Sequence, residues 1–315
     1  MPAISASAPG KIILLGEHAV VYRKPAIAVP VNQVQAKAII TANPKGKPGS
    51  VQIQAPAIDL DTDWKELSSD HPIVVTIELT LHEIGTSHMP ACKLRISSTI
   101  PVASGLGSGA AVTVAIIRAI ATFLGHSLSD EIVSSIAYEI EKIHHGTPSG
   151  IDNTVVTYRK PVYFIRSQPI ETLQVPQPFS LVIANTGIPS PTALAVGDVR
   201  QKWLSDPDLL ESIFSEIEQI VVKARSLIQS GNVELIGPLL TRNHQLLRDI
   251  GVSSNELDRL VDAALEAGAL GAKLSGGGRG GNMIALVSPE SAPIVSQALM
   301  RYGAKQTILT TIQET

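Results

Sequence analysis

Between Ala103 and Ala111 the nine residues ASGLGSGAA are three Gly, three Ala, two Ser and one Leu. Side chains this short leave backbone N–H groups open to a ligand, and an apolar helical pattern follows directly. A bare loop running into a helix N-terminus makes an anion site, most often for phosphate. An ordinary tight turn uses the same residues, so the loop alone does not decide. Gly105, Gly107 and Gly109 fit neither the phosphate loop that ends in Gly-Lys-Ser/Thr nor the dinucleotide fingerprint. Ser108, at the helix start, offers a hydroxyl to a phosphate or to Mg²⁺, or simply caps the helix.

Carboxylates and a lysine extend the chemistry. Val133, Ala137 and Glu141 stand four apart, so they form one row on a helix, beside Ile132, Ile136, Ile140 and Ile143. Glu141 therefore prolongs an apolar face, and a carboxylate buried there needs a metal ion or a structural Arg or Lys. In HHGTPSGIDNTV, Gly146, Pro148, Ser149 and Gly150 force a turn, after which Asp152 is a turn residue, a helix cap or a group that takes a substrate proton. The adjacent His144 and His145 lack the further ligands of a zinc site. Lys11 opens the short apolar strand KIILL, and Glu17 and His18 follow Gly16 beyond its end. A lysine there either lies in solvent or neutralises phosphate and holds a nearby Asp ionised. A second glycine-rich run, KLSGGGRGGN, precedes an apolar strand near the C-terminus.

The elements that must position these groups form a mixed α/β pattern. Strands are expected over 11–15, 26–31, 34–42 and 92–98, with a helix over 72–85 opened by Pro72. The bare loop leads into a helix over 110–124 that is apolar on nearly every side, as a fully buried helix is. A further helix runs from Ser129 to about His144, and VYFIR and SLVIANT are strands. Helical patterns follow over 192–230, broken near Asp206-Pro207, then over 233–249 and 254–267. Two short strands and a last helix over 289–302 close the pattern. The change of character after GIPSPT places a boundary near Thr186, giving domains 1–185 and 186–315.

Composition excludes several classes. The 315 residues are 44% apolar and 17% charged, with a net charge of −3, so the chain folds and lacks the basic surface that nucleic acids or membranes require. Aromatics at 3% are too few for base stacking. The single cysteine, Cys92, and an N-terminus without a basic and apolar leader point to a cytoplasmic protein. No apolar stretch is long enough to span a bilayer.

Three stretches, in this order, resemble the GHMP small-molecule kinases: APGKIILLGEHAVVY, PVASGLGSGAA and KLSGGGRGGN. GEHAVVY and HGTPSGIDN have the form of the mevalonate-phosphorylating members, where galactose-specific ones have GEHTDY. NTGIPSPTALAVGDVR and NHQLLRDIGVSSNELDRL carry the likeness into the C-terminal half, so it covers most of the chain. The resemblance implies a two-domain α/β (α+β) fold with ATP between the domains. The N-terminal domain would hold a left-handed β-α-β unit, and the C-terminal one would be ferredoxin-like. It implies phosphorylation of the primary hydroxyl of mevalonate in isoprenoid synthesis. Pro101, Ala103, Ser104, Gly105, Leu106, Gly107, Ser108, Gly109 and Ala110 would hold ATP, and Ser108 and Glu141 would hold Mg²⁺. Asp152, eleven residues after Glu141, would be the catalytic carboxylate. Lys11 would contact it and lower its pKa, and Lys11, Glu17, His18 and Asp152 would meet the substrate. The expected partners are mevalonate, ATP and a second copy of the chain in a homodimer, with no nucleic acid and no membrane.

Two positions depart from the pattern. Gly109 stands where a second Ser is usual, and Arg279 where a small residue is common. The side chain of Arg279 is expected to point to solvent and leave only backbone at the phosphates. Alternatives are a kinase of the same family acting on phosphomevalonate or on another hydroxyl of mevalonate, and a non-catalytic ligand sensor. Intact Lys11, Ser108, Glu141 and Asp152 count against the sensor.

Overall fold

The computed structural model describes residues 3–101, 104–145, 148–190 and 192–313. They divide into two compact units, one of Met1–Gly10, Val34–Pro101 and Gly107–Arg159, the other of Lys11–Gln33, Val102–Leu106 and Lys160–Thr315.

Strands β1 (Ile4–Leu15) and β2 (Ala26–Ala42) each contribute residues to both units. β2 is continuous where two strands were expected, because Asn32 and Gln33 are exposed on an otherwise extended segment and need no turn. In the first unit, β3 (Val51–Ala55) and β4 (Leu60–Asp63) pair antiparallel. Helix α1 (Pro72–Ile84) leads to β5 (Cys92–Ser98), which runs parallel to β3 and antiparallel to residues 36–42 of β2. β3, α1 and β5 thus form a β-α-β unit. Pro72 starts α1, and Gly85, at φ 81°, ends it in the left-handed conformation that glycine adopts without strain.

Helix α2 (Ser108–Phe123) is buried on most sides, as its sequence requires. Burial of Val114, Ile116, Ile117 and Ile120 contributes about 1.5–3 kcal/mol each relative to exposure. Helix α3 (Asp130–His145) packs on α1 and α2, and α4 (Ile151–Tyr158) packs on α2 and α3. Val133, Ala137 and Glu141 are buried in one row, as their spacing predicts. Ile143, expected beside that row, is instead exposed, one turn past the buried Ile136 and Ile140. α4 was not expected, since Pro148, Ser149 and Gly150 read as a loop. The turn ends at Gly150, whose φ of 91° lets the helix begin at once.

In the second unit, β6 (Val162–Phe164) pairs with residues 26–28 of β2 and with β7 (Glu171–Thr172). β8 (Phe179–Asn185) is followed by α5 (Thr192–Ser205), α6 (Pro207–Gln229), α7 (Ile236–Asp249) and α8 (Asn255–Glu266). The break between α5 and α6 lies where Asp206 and Pro207 predict it, with the Asp206 side chain accepting from the Leu209 N–H. β9 (Gly271–Ser275) and β10 (Asn282–Val287) form a hairpin, α9 (Ser291–Arg301) follows, and β11 (Gln306–Ile312) ends the sheet. The strand order β11-β8-β10-β9, with helices before β9 and before β11, is the ferredoxin-like arrangement. β11 was not expected, because four of its seven residues are polar and only two are buried at the sheet edge. The boundary expected near Thr186 cuts β8 away from its sheet. β8 pairs with β10 and β11 over its whole length, so the sheet begins at Phe179. Among the described residues no helix is long and apolar enough to cross a membrane.

Candidate active site

In the first unit, α2 starts at Ser108 and Gly107 caps it at φ 72°. A Cβ placed on Gly109 would lie 3.5 Å from Glu141 Oε1, so the carboxylate stands beside the first turn of α2. Glu141 is buried, which its position in the apolar row foretells. The Ser108 hydroxyl and the Glu141 carboxylate are both oxygen donors, the kind that a hard divalent cation takes. Gly109 places no side chain against the Glu141 carboxylate.

Asp152 is the second residue of α4, in its first turn, where the helix dipole favours a negative charge. Its neighbours fix it. Asn153, buried, donates from Nδ2 to Ser134 O at 3.1 Å and to Ser134 Oγ at 2.9 Å, tying α4 to α3. Thr154 Oγ1 donates to Gly150 O at 2.7 Å. Pro101 also belongs to this unit, whereas Ala103 and the Gly146-Thr147 pair lie outside the described residues.

In the second unit, Lys11 is 4% exposed and not a solvent-facing strand end. Its backbone N–H donates to Leu106 O at 2.9 Å, so the bare loop is fastened to β1. Leu106, the one large side chain of the loop, is buried and anchors it. Ser104 is buried as well, and its carbonyl accepts a hydrogen bond from Asn282 Nδ2 at the start of β10. Gly105 adopts φ 77°. Asn282 also accepts at Oδ1 from Asn185 Nδ2, 2.9 Å away.

Glu17 and His18 lie in a tight turn after β1. Gly16 takes φ 99°, and a Cβ there would meet Pro25 O at 2.5 Å, so only glycine fits. His18 itself has φ 61°. Glu17 forms an ion pair with Lys273 of β9, and both side chains are at most 1% exposed. His18 Nε2 lies 3.1 Å from the carbonyl of Gly277. A carbonyl only accepts, so Nε2 carries the proton and Nδ1 presents a lone pair. Burial lowers the His18 pKa to about 4, so the ring is neutral at neutral pH. Ser275 Oγ donates to Ile13 O at 2.7 Å, joining β9 to β1.

The third glycine stretch loops against residues 188–190 and 252. A Cβ on Gly278 would overlap Val252 O at 1.9 Å, which explains the glycine. The Arg279 N–H donates to Val252 O at 2.8 Å. The Arg279 side chain is partly exposed and forms an ion pair with Asp198 of α5, so it is held rather than free in solvent.

Lys273, Asn282 and His244 escaped the sequence reading. His244 Nδ1 accepts from the Leu274 N–H at 3.2 Å, and Nε2 lies 3.2 Å from Asp258 Oδ1. The available signal for Lys273 was its place in GAKLS, a strand buried at every position.

The N-terminal domain model of the GHMP kinases matches residues 72–160, and their C-terminal model matches residues 224–305. The chain belongs to the GHMP kinase family. It is therefore a kinase, and kinases of this family use ATP. The mevalonate kinase of Pyrococcus furiosus is 36% identical over 95% of this chain and 93% of that protein. That of Saccharolobus solfataricus is 32% identical over 97% of this chain and 99% of its own. Among solved structures, the L. major mevalonate kinase in complex with R-mevalonate is similar, with a TM-score of 0.85 and 31% identity. That match covers 99% of this chain and 96% of the L. major one.

Proposed function

We propose that this GHMP kinase transfers the γ-phosphoryl group of ATP to the primary hydroxyl of mevalonate, giving 5-phosphomevalonate for isoprenoid synthesis. The observation that carries this reading is the full-length likeness to mevalonate kinases, 36% identical over 95% of the chain.

Phosphoryl transfer depends on positioning and charge neutralisation more than on covalent chemistry. The N-terminus of α2, with Gly107, Ser108, Gly109 and Ala110, would hold the phosphates with its N–H groups and its dipole. Ser108 Oγ and the Glu141 carboxylate would hold Mg²⁺, which neutralises phosphate charge when bound. Glu17 and His18 orient the substrate. The carboxylate of Asp152 accepts the proton of the attacking hydroxyl, or orients that hydroxyl while Lys11 activates it. The chain works in the cytoplasm as a homodimer, with an N-terminal domain that supplies the start of α2 and Asp152. The C-terminal domain runs from the strand at Phe179.

The test is a coupled ADP-release assay over mevalonate, phosphomevalonate, homoserine and galactose. Turnover of mevalonate well above the others is expected. Preference for phosphomevalonate would move the chain to another branch of the family, and no turnover of any would favour a ligand sensor. Light scattering at micromolar concentration checks the homodimer.

A further inference from the structure

Two acceptor atoms stand on successive residues of the first turn. Glu17 Oε2 and His18 Nδ1 are buried and have no hydrogen-bond partner among the described residues. A buried acceptor left so is costly, and it is satisfied by a donor that arrives from outside the chain. A hydroxyl is such a donor, whereas a carboxylate or a phosphate is not.

The remaining polar atoms of the pair are already committed. His18 Nε2 is held by Gly277 O. Glu17 Oε1 is held by Lys273, whose Nζ also donates to Leu274 O at 2.6 Å. Lys273 projects from β9 on the same face as Ser275, which is bonded to Ile13 O. The strand that carries the lysine is thus locked to the strand that carries the turn. Lys273 is wholly buried, and Glu17 is the carboxylate that meets it. Burial lowers the lysine pKa and Glu17 raises it.

A pair this deep is a poor stabiliser. Removing two charges from water costs as much as their attraction returns, and an apolar pair of similar size is often at least as stable. Its use must lie elsewhere. We propose that Lys273 is a positioning residue, which engages Glu17 Oε1 and fixes the carboxylate, so that Oε2 remains to accept a substrate hydroxyl beside His18 Nδ1. This rests on the reading of the chain as a kinase for mevalonate, which offers hydroxyls.

The experiment measures kcat, KM for mevalonate, KM for ATP and melting temperature in wild type, Glu17→Gln, Lys273→Met and the double variant. Wild-type turnover of mevalonate is established first, so failure of the functional reading is recognised separately. Lys273→Met is expected to raise KM for mevalonate by about tenfold or more, with KM for ATP and kcat changed less than about threefold. Because Lys273 acts through Glu17, the double variant should match the KM of Glu17→Gln within about twofold. Its melting temperature should exceed that of either single variant, since no unpaired charge remains buried. A folded Lys273→Met enzyme with wild-type KM would overturn the proposal. So would a double variant whose KM is a further tenfold above that of Glu17→Gln, which would place Lys273 on the substrate itself. If neither single variant folds, the uncharged double variant decides. Wild-type KM there makes the pair merely structural and overturns the proposal. A tenfold rise places Glu17 on the substrate, and Lys273→Arg, which keeps the charge but shifts its position, then decides: raised KM for mevalonate supports positioning and wild-type KM overturns it.

Discussion

The Lys11 N–H donates to the Leu106 carbonyl across 2.9 Å, which fastens the second glycine motif to the strand that carries the first. Lys11 is buried at that junction. A lysine taken out of water there needs negative charge around it, from a carboxylate or a phosphate. The bond anchors the loop at Leu106, whose side chain fills the core and whose carbonyl is claimed by β1.

Asp152→Asn should lower kcat by roughly 100-fold or more, the scale of a general acid–base contribution. The affinity for ATP should barely change. Asn153 and Thr154, which hold α4 in place, are untouched, so the fold should survive. Near-normal turnover of the purified variant would remove Asp152 from the mechanism.

Glu141→Gln should raise the Mg²⁺ concentration needed for half-maximal rate. The carboxylate stands beside Gly109 and the start of α2, where a cation joined to the Ser108 hydroxyl would sit. An unchanged Mg²⁺ dependence with a lower melting temperature would make Glu141 a structural residue.

Sequence and structure agree most where a single element carries the signal. The row Val133, Ala137, Glu141 was legible because helical period alone decides which side chains share a face. The break at Asp206-Pro207 was legible because capping is local. What escaped depends on partners far along the chain. Lys273 and Glu17 are separated by 256 positions, and no periodicity joins them. β8 looked like the end of one domain until its pairing with β10 and β11 placed it in the other sheet. β11 is an edge strand with Leu309 exposed, so its pattern resembles a polar tail. Burial of Lys11 was equally hidden, since a strand with a lysine at one end reads the same in solvent or core.

Acid should weaken the fold through two histidines. His18 and His244 both have pKa values lowered to about 4, chiefly by burial. In the unfolded chain each takes up a proton near its ordinary value of about 6.5. Between those limits the unfolded state binds more protons, so stability falls as pH drops from about 6.5 towards 4. His244→Asn keeps an acceptor for the Leu274 N–H but cannot titrate, and should remove about half of that slope. Urea unfolding at stepped pH reads it. A slope identical to wild type would mean that His244 is not held neutral.

Arg279→Gly tests the departure from the family pattern. Arg279 has φ 59°, a left-handed conformation that strains any residue with a Cβ and that glycine adopts freely. Its guanidinium is paired with Asp198, and both groups are partly exposed, a setting in which an ion pair is worth about 0–1 kcal/mol. The strain relieved and the pair lost are of similar size, so the melting temperature should shift little. The backbone N–H to Val252 O is kept, and with it the loop. The side chain already has an anionic partner on α5 and is not needed to contact ATP. KM for ATP should therefore change by less than about threefold, under about 0.7 kcal/mol. A loss of about tenfold or more in kcat/KM for ATP would show instead that Arg279 leaves Asp198 for the nucleotide, and that this chain has added a phosphate ligand to a motif otherwise made of backbone.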